Sequence, residues 1–218
     1  MLLDYEADQW LLNEGGYKYH VFISWPHTIN TDLTECAQIL ETEISRRLAT
    51  FFPLPKVFLD QHELKGGDEW KERLRHELCR SVAMIAICAP IYYHPMHDWC
   101  GREWAAMEQL GECRLKGQDH KTIIPVLFKK SEPLPNAVSK IQYIDITNVI
   151  LQGRRYYTIQ EFRKKVESIV ERVRRIALHI GENQIKANCE KFEIPEKSAF
   201  ADYKGSPLPH LPLTGAKW

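Results

Sequence analysis

Little in this 218-residue sequence steers it toward a charged partner or a membrane. Lysine and arginine together number 29 against 29 acids, so no net charge draws the chain to nucleic acid or anionic lipid. The longest apolar run, residues 83–91, falls far short of the roughly 20 residues that span a bilayer. The early acids Asp4 and Glu6 follow no basic stretch, so the amino terminus does not read as a signal peptide, and a cytoplasmic location is expected. The six cysteines (Cys36, Cys79, Cys88, Cys100, Cys113 and Cys189) form no CxxC pair. In a reducing compartment such thiols behave as small hydrophobes, and no disulfide framework is expected. Neither GxGxxG nor GxxxxGK[ST] follows the first strand-like run, which removes the usual dinucleotide and P-loop modes. No internal repeat is visible.

What is present is an alternation of two periods. Residues 17–24 are β-rich and wholly apolar at Val21-Phe22-Ile23, as a buried parallel strand should be. Residues 32–50 place Leu33, Cys36, Ile39, Leu40, Ile44 and Leu48 at helical spacing, with Asn30 or Thr31 able to cap them. Further strands are predicted at 56–60, 82–88, 121–128 and, more exposed, 141–146. Pro125 is a minor objection to a central place for the fourth. Helices are predicted from near Asp68, from the region of Trp99 to about Cys113, and over 158–180. Strand and helix thus alternate about five times, which implies a parallel sheet covered on both faces. Residues 1–16 read as a short docking helix or loose arm, 17–180 as the domain, and 181–218 as a proline-containing tail. That tail is extended, disordered or strapped over the surface.

Ligands of open α/β sheets bind beyond the carboxyl ends of the strands, which selects the loops 24–30, 61–67, 90–98 and 129–135. The helix after the third strand borders the same crevice and carries an unusual acid. Trp99 and Glu103 are four residues apart and share a helix face that Met107 and Leu110 continue as core-type residues. A buried, unpaired carboxylate is costly, so Glu103 is either a solvated edge residue or an acid set against an aromatic to stabilise a cation. Other chemistries are weaker. His94, His97 and Cys100 have zinc-like spacing, but their loop crosses Pro95 and no metal is expected. Nothing fixes a histidine beside Cys100, so packing suits it better than nucleophilic attack. Trp70 reads as a helix pin, Trp104 as core, and Arg172, Arg174 and Arg175 as a solvated helix face.

These residues carry a resemblance. Residues 19–25, Tyr-His-Val-Phe-Ile-Ser-Trp, resemble the first box of Toll/interleukin-1 receptor (TIR) domains. Phe58-Leu59-Asp60 with Leu64, Gly66-Gly67 and Trp70 is similar to the second strand and BB loop of that family. Trp99-Cys100-Gly101-Arg102-Glu103 is similar to its Trp-Cys-x-x-Glu motif, and Ile124-Pro125-Val126 resembles its fourth strand. Three motifs in order, over about residues 17–180, are specific for fold.

The resemblance implies a flavodoxin-like, five-stranded parallel sheet with helices on both faces. It also implies one of two roles. One is NAD+ cleavage at the nicotinamide–ribose bond by a prokaryotic-type TIR protein, with NAD+ as substrate and no cofactor. Such proteins resemble the TIR component of Thoeris-like antiphage systems, in which a separate effector reads a nucleotide made from ADP-ribose. The alternative is a non-enzymatic scaffold that assembles by TIR–TIR contacts through the BB loop. In the first role Glu103 is catalytic, Trp99 its aromatic partner, and Ser24, Trp25, Leu64 and Gly66 line the dinucleotide. A single carboxylate suffices there, because nicotinamide leaves as a neutral molecule while the ribose becomes oxocarbenium-like. Trp25-Pro26-His27 departs from the family's more usual aromatic-then-polar run, which leaves the phosphate and adenine contacts open.

Overall fold

Both faces of the central strands are apolar, and the chain folds accordingly. A computed structural model of the chain describes residues 2–28, 31–59, 68–153 and 155–203. The elements in chain order are α1 (Leu2–Asn13), β1 (Tyr19–Ser24), α2 (Thr31–Leu48), β2 (Val57–Leu59), α3 (Asp68–Cys79), β3 (Ser81–Cys88) and α4 (Asp98–Arg114). There follow β4 (Ile123–Leu127), α5 (Asn136–Ser139), β5 (Ile144–Asp145), α6 (Thr147–Ile150) and α7 (Gln160–Glu182). The five strands form one sheet, parallel as the alternation indicates, in the order β2-β1-β3-β4-β5, the flavodoxin-like arrangement that the resemblance implies. Among the described residues no helix is long and apolar enough to cross a membrane.

Side-chain alternation along each strand divides the core in two. Val21, Ile23, Ile85 and Ile87 point into one layer with Leu40 and Ile44 of α2 and Val166, Ile169 and Val173 of α7. Phe22, Met84, Ala86 and Cys88 point into the other, with Leu74 and Leu78 of α3 and Trp104 and Met107 of α4. β3 lies at the centre and is buried throughout.

Pro125 sits in β4 between two partners without leaving a gap in the ladder. Ile146 N–H donates to the Leu127 carbonyl, so odd-numbered residues of β4 face β5. The N–H that proline lacks therefore falls toward β5, and β5 begins pairing only at Val126.

Of the amino-terminal segment, residues 2–16 are described, and they are docked. His20 in β1 accepts the Lys56 amide proton on Nδ1 at 3.1 Å and so presents Nε2–H to Asp8 Oδ1 at 2.8 Å, both side chains being buried. Asp4 accepts from Arg174 of α7 at 2.5 Å. A Cβ at Gly181 would lie 2.7 Å from that of Ala7, so glycine is what lets α1 and α7 approach.

Of the three states open to the tail, the described part is strapped down. Arg75 Nη1 donates to the carbonyls of Cys189 and Phe192, and Arg102 Nε to that of Pro195. Ala199 N–H donates to the Gly101 carbonyl, Phe200 is buried, and Tyr203 Oη donates to the Pro133 carbonyl. The stretch with Pro207, Pro209, Pro212 and Trp218 lies outside the described residues.

The strap corrects one expectation. Cys79 and Cys189 are joined as a disulfide with Cα atoms 5.9 Å apart. They are 110 residues apart in sequence, so no local spacing announces them. Cys189 meets the end of α3 only because the chain turns back after α7.

Candidate active site

Ser24 is the last residue of β1, and its parity sends the side chain to the α3/α4 face of the sheet, together with Phe22. Glu103 stands in the second turn of α4, the helix that follows β3, and β3 is the neighbour of β1. The two groups therefore meet at the carboxyl edge of the sheet. Ser24 Oγ donates to Glu103 Oε2 at 2.5 Å, and Glu103 is 8% exposed.

A third residue completes the chain of donors. Tyr92, in the short 3-10 turn Pro90–Tyr93 after β3, places its Oη 2.8 Å from Ser24 Oγ. The serine proton is committed to the carboxylate, so the phenol donates to Ser24. Burial pushes the Tyr92 phenol well above its usual range, and the nearby Cys100, Cys88 and Glu103 add to the rise. Tyr92 is thus a neutral donor in this network. Burial likewise pushes the Cys100 thiol well up, with Glu103 next in effect, which removes it as a thiolate nucleophile.

The remaining expected residues take distinct places. Trp99 is half-buried, with the Arg102 guanidinium 4.1 Å from its ring centroid and Trp70 packed at right angles at 4.6 Å. One face of the indole is thus already engaged by a cation from the same helix. Trp25 follows Ser24 and points to the opposite side of the sheet, into the α2/α7 layer, where it stacks on His27 at 4.4 Å. Its buried Nε1 has no acceptor among the described residues. Leu64 and Gly66 lie outside the described residues. Trp104 is wholly buried, as expected of a core residue.

The sequence singled out neither Tyr92 nor Phe200, the residue of the strap that packs behind it. Phe200 packs against Tyr92, Tyr93 and Trp104 with ring centroids 5.8, 5.0 and 5.4 Å away. A Cβ on Gly101 would lie 1.8 Å from Ser198 Oγ and 2.9 Å from its Cβ, so α4 offers the strap a seat only a glycine leaves open. No periodicity marks Tyr92 or Phe200. The direction of Trp25, by contrast, was available from strand parity. His94 Nδ1 accepts from the Met96 amide, and among the described residues no group of three or more His, Cys, Asp or Glu is placed to hold a metal ion.

The arrangement is a flavodoxin-like α/β domain with a buried, hydrogen-bonded carboxylate, Glu103, at the carboxyl edge of its sheet. The chain belongs to the TIR domain family, whose model matches residues 21–164. Comparison with curated proteins finds no match.

Proposed function

We propose that this TIR protein cleaves NAD+ at the nicotinamide–ribose bond, with Glu103 as the catalytic carboxylate. The observation that carries the reading is the Ser24–Glu103 hydrogen bond at a crevice where such sheets bind ligands. Burial weakens the screening of Glu103, so it attracts a developing positive charge more strongly than a solvated acid would. As the C1′–N bond breaks, its electron pair leaves with neutral nicotinamide, and C1′ becomes oxocarbenium-like beside the carboxylate. Water attack then yields ADP-ribose and a proton; attack by a group of the same molecule yields a cyclic product and a proton. Ser24 holds one carboxylate oxygen in place, and Tyr92 holds Ser24. Trp99, with Arg102 over it, forms the wall beside α4, and Trp25 braces the end of β1 from the opposite side of the sheet.

In this proposal residues 17–180 form the catalytic unit, and 1–16 and 181–218 restrain it. Glu103 is only 8% exposed, and self-association through TIR–TIR contacts is the event that opens the site. A product read by a separate effector in cytoplasmic antiviral defence completes the proposal.

The test is to incubate concentrated protein with NAD+ and identify products chromatographically. Nicotinamide together with linear or cyclic ADP-ribose from wild type, but not from Glu103→Gln, is the expected result. Silence from assembled wild-type protein overturns the reading and leaves the scaffold role.

A further inference from the structure

At the other end of the sheet a cavity of about 800 Å3 opens between α7 and the segments leading into β4 and β5. Its volume is that of a small-molecule site. It is lined by Lys121 ahead of β4, Lys140 ahead of β5, and Lys165, Arg172 and Arg175 along one side of α7. Two of the acids in the lining are engaged, Asp145 by Lys130 at 2.8 Å and Glu171 by Arg174 at 3.5 Å. Asp119 is the third. Five cationic side chains against three acids leave a surplus of two positive charges in a chain that is neutral as a whole.

One of these cations is held in place. Arg172 is half-buried and donates through Nη1 to the Gln142 carbonyl at 2.8 Å. Burial chiefly, and after it the neighbouring Arg175, lower its affinity for a proton. Lys121, Lys140, Lys165 and Arg175 make no ion pair among the described residues. His120, also in the lining, has a buried Nε2 with no hydrogen-bond partner among the described residues. Crowding cations in excess of acids is unfavourable, and an anion in the cleft would relieve it.

We propose that this cleft is a second ligand site, distinct from the Ser24–Glu103 crevice, that takes a nucleoside diphosphate. Two phosphates can reach the cations at both ends of the cleft. Lys165 and Arg175 are ten residues apart on α7, a reach of about 15 Å at about 1.5 Å per residue, more than one phosphate needs. Tyr143, 38% exposed, lines the same cleft, a platform on which a base can stack. The site stands whether or not Glu103 cleaves NAD+.

Calorimetric titration of the full chain with ADP and with inorganic pyrophosphate tests it. Both are expected to bind wild type and Glu103→Gln alike. Replacing Lys165 and Arg175 together by alanine, both away from the core, is expected to weaken both probes by about tenfold or more. Tyr143→Ala is expected to weaken ADP and leave pyrophosphate unchanged. Wild type that binds neither probe overturns the proposal, as does a folded double variant that binds both as tightly as wild type. An ADP affinity untouched by Tyr143→Ala overturns the nucleoside assignment.

Discussion

Ser24 Oγ and Glu103 Oε2 lie 2.5 Å apart, joining the end of β1 to the second turn of α4. A hydrogen bond to a buried carboxylate is among the stronger kinds, worth roughly 1.5–3 kcal/mol. Ser24→Ala is therefore expected to lower the kcat of nicotinamide release by about ten- to hundredfold, with little change in KM. Tyr92→Phe, which loosens Ser24 without touching Glu103, is expected to have a smaller effect in the same direction. Steady-state kinetics on both variants check this.

The disulfide gives a stability expectation. It closes a loop of 110 residues, and losing it by Cys189→Ser is expected to cost about 2–5 kcal/mol, read from urea unfolding. Thiol labelling of the native protein is expected to modify Cys113, the exposed free cysteine. Cys36, Cys88 and Cys100 are buried, and burial pushes the first two up to about 12, so they should stay silent. Reductant should add Cys189, which is half-buried, to the labelled set.

The strap depends on Gly101. Gly101→Ala puts a methyl group into Ser198, so the segment carrying Phe200 must shift off α4. Limited proteolysis is expected to cut within residues 189–203 several-fold faster in this variant, while the helical content of the folded domain is retained. Equal cleavage rates would contradict the seat described for the strap.

Acid sensitivity should trace in part to Asp4. Its hydrogen bond from Arg174 lowers its folded pKa below the ordinary carboxylate value. The contribution to stability is present above the unfolded pKa of about 4 and is lost as pH falls through the folded value. Asp4→Asn is expected to lower Tm near neutral pH and to narrow the gap to wild type below about pH 4. Thermal melts across that range decide it.

The layout of the sheet was legible because periodicity records burial. Val21-Phe22-Ile23 and the run through Cys88 are apolar on both faces, and the α7 stripe of Phe162, Val166, Ile169 and Val173 is buried as its spacing indicated. The fifth strand shortened from 141–146 to Ile144–Asp145, since an edge strand is paired on one side alone. Glu103 and Ser24 were legible as candidates, but their contact was not, because it joins residues 79 apart. Tyr92, Phe200 and the Cys79–Cys189 bond are likewise products of tertiary meeting. Arg172 and Arg175 read as a solvated face, and only the folding of the loops before β4 and β5 toward α7 makes them walls of a cleft.

The most direct test of the account is nicotinamide release from NAD+ by wild type, Ser24→Ala and Glu103→Gln, assayed side by side on protein shown to be folded and assembled. The expected order is wild type fastest, Ser24→Ala slower, and Glu103→Gln down by about a thousandfold or more. Glu103→Gln turning over at the wild-type rate would contradict the account.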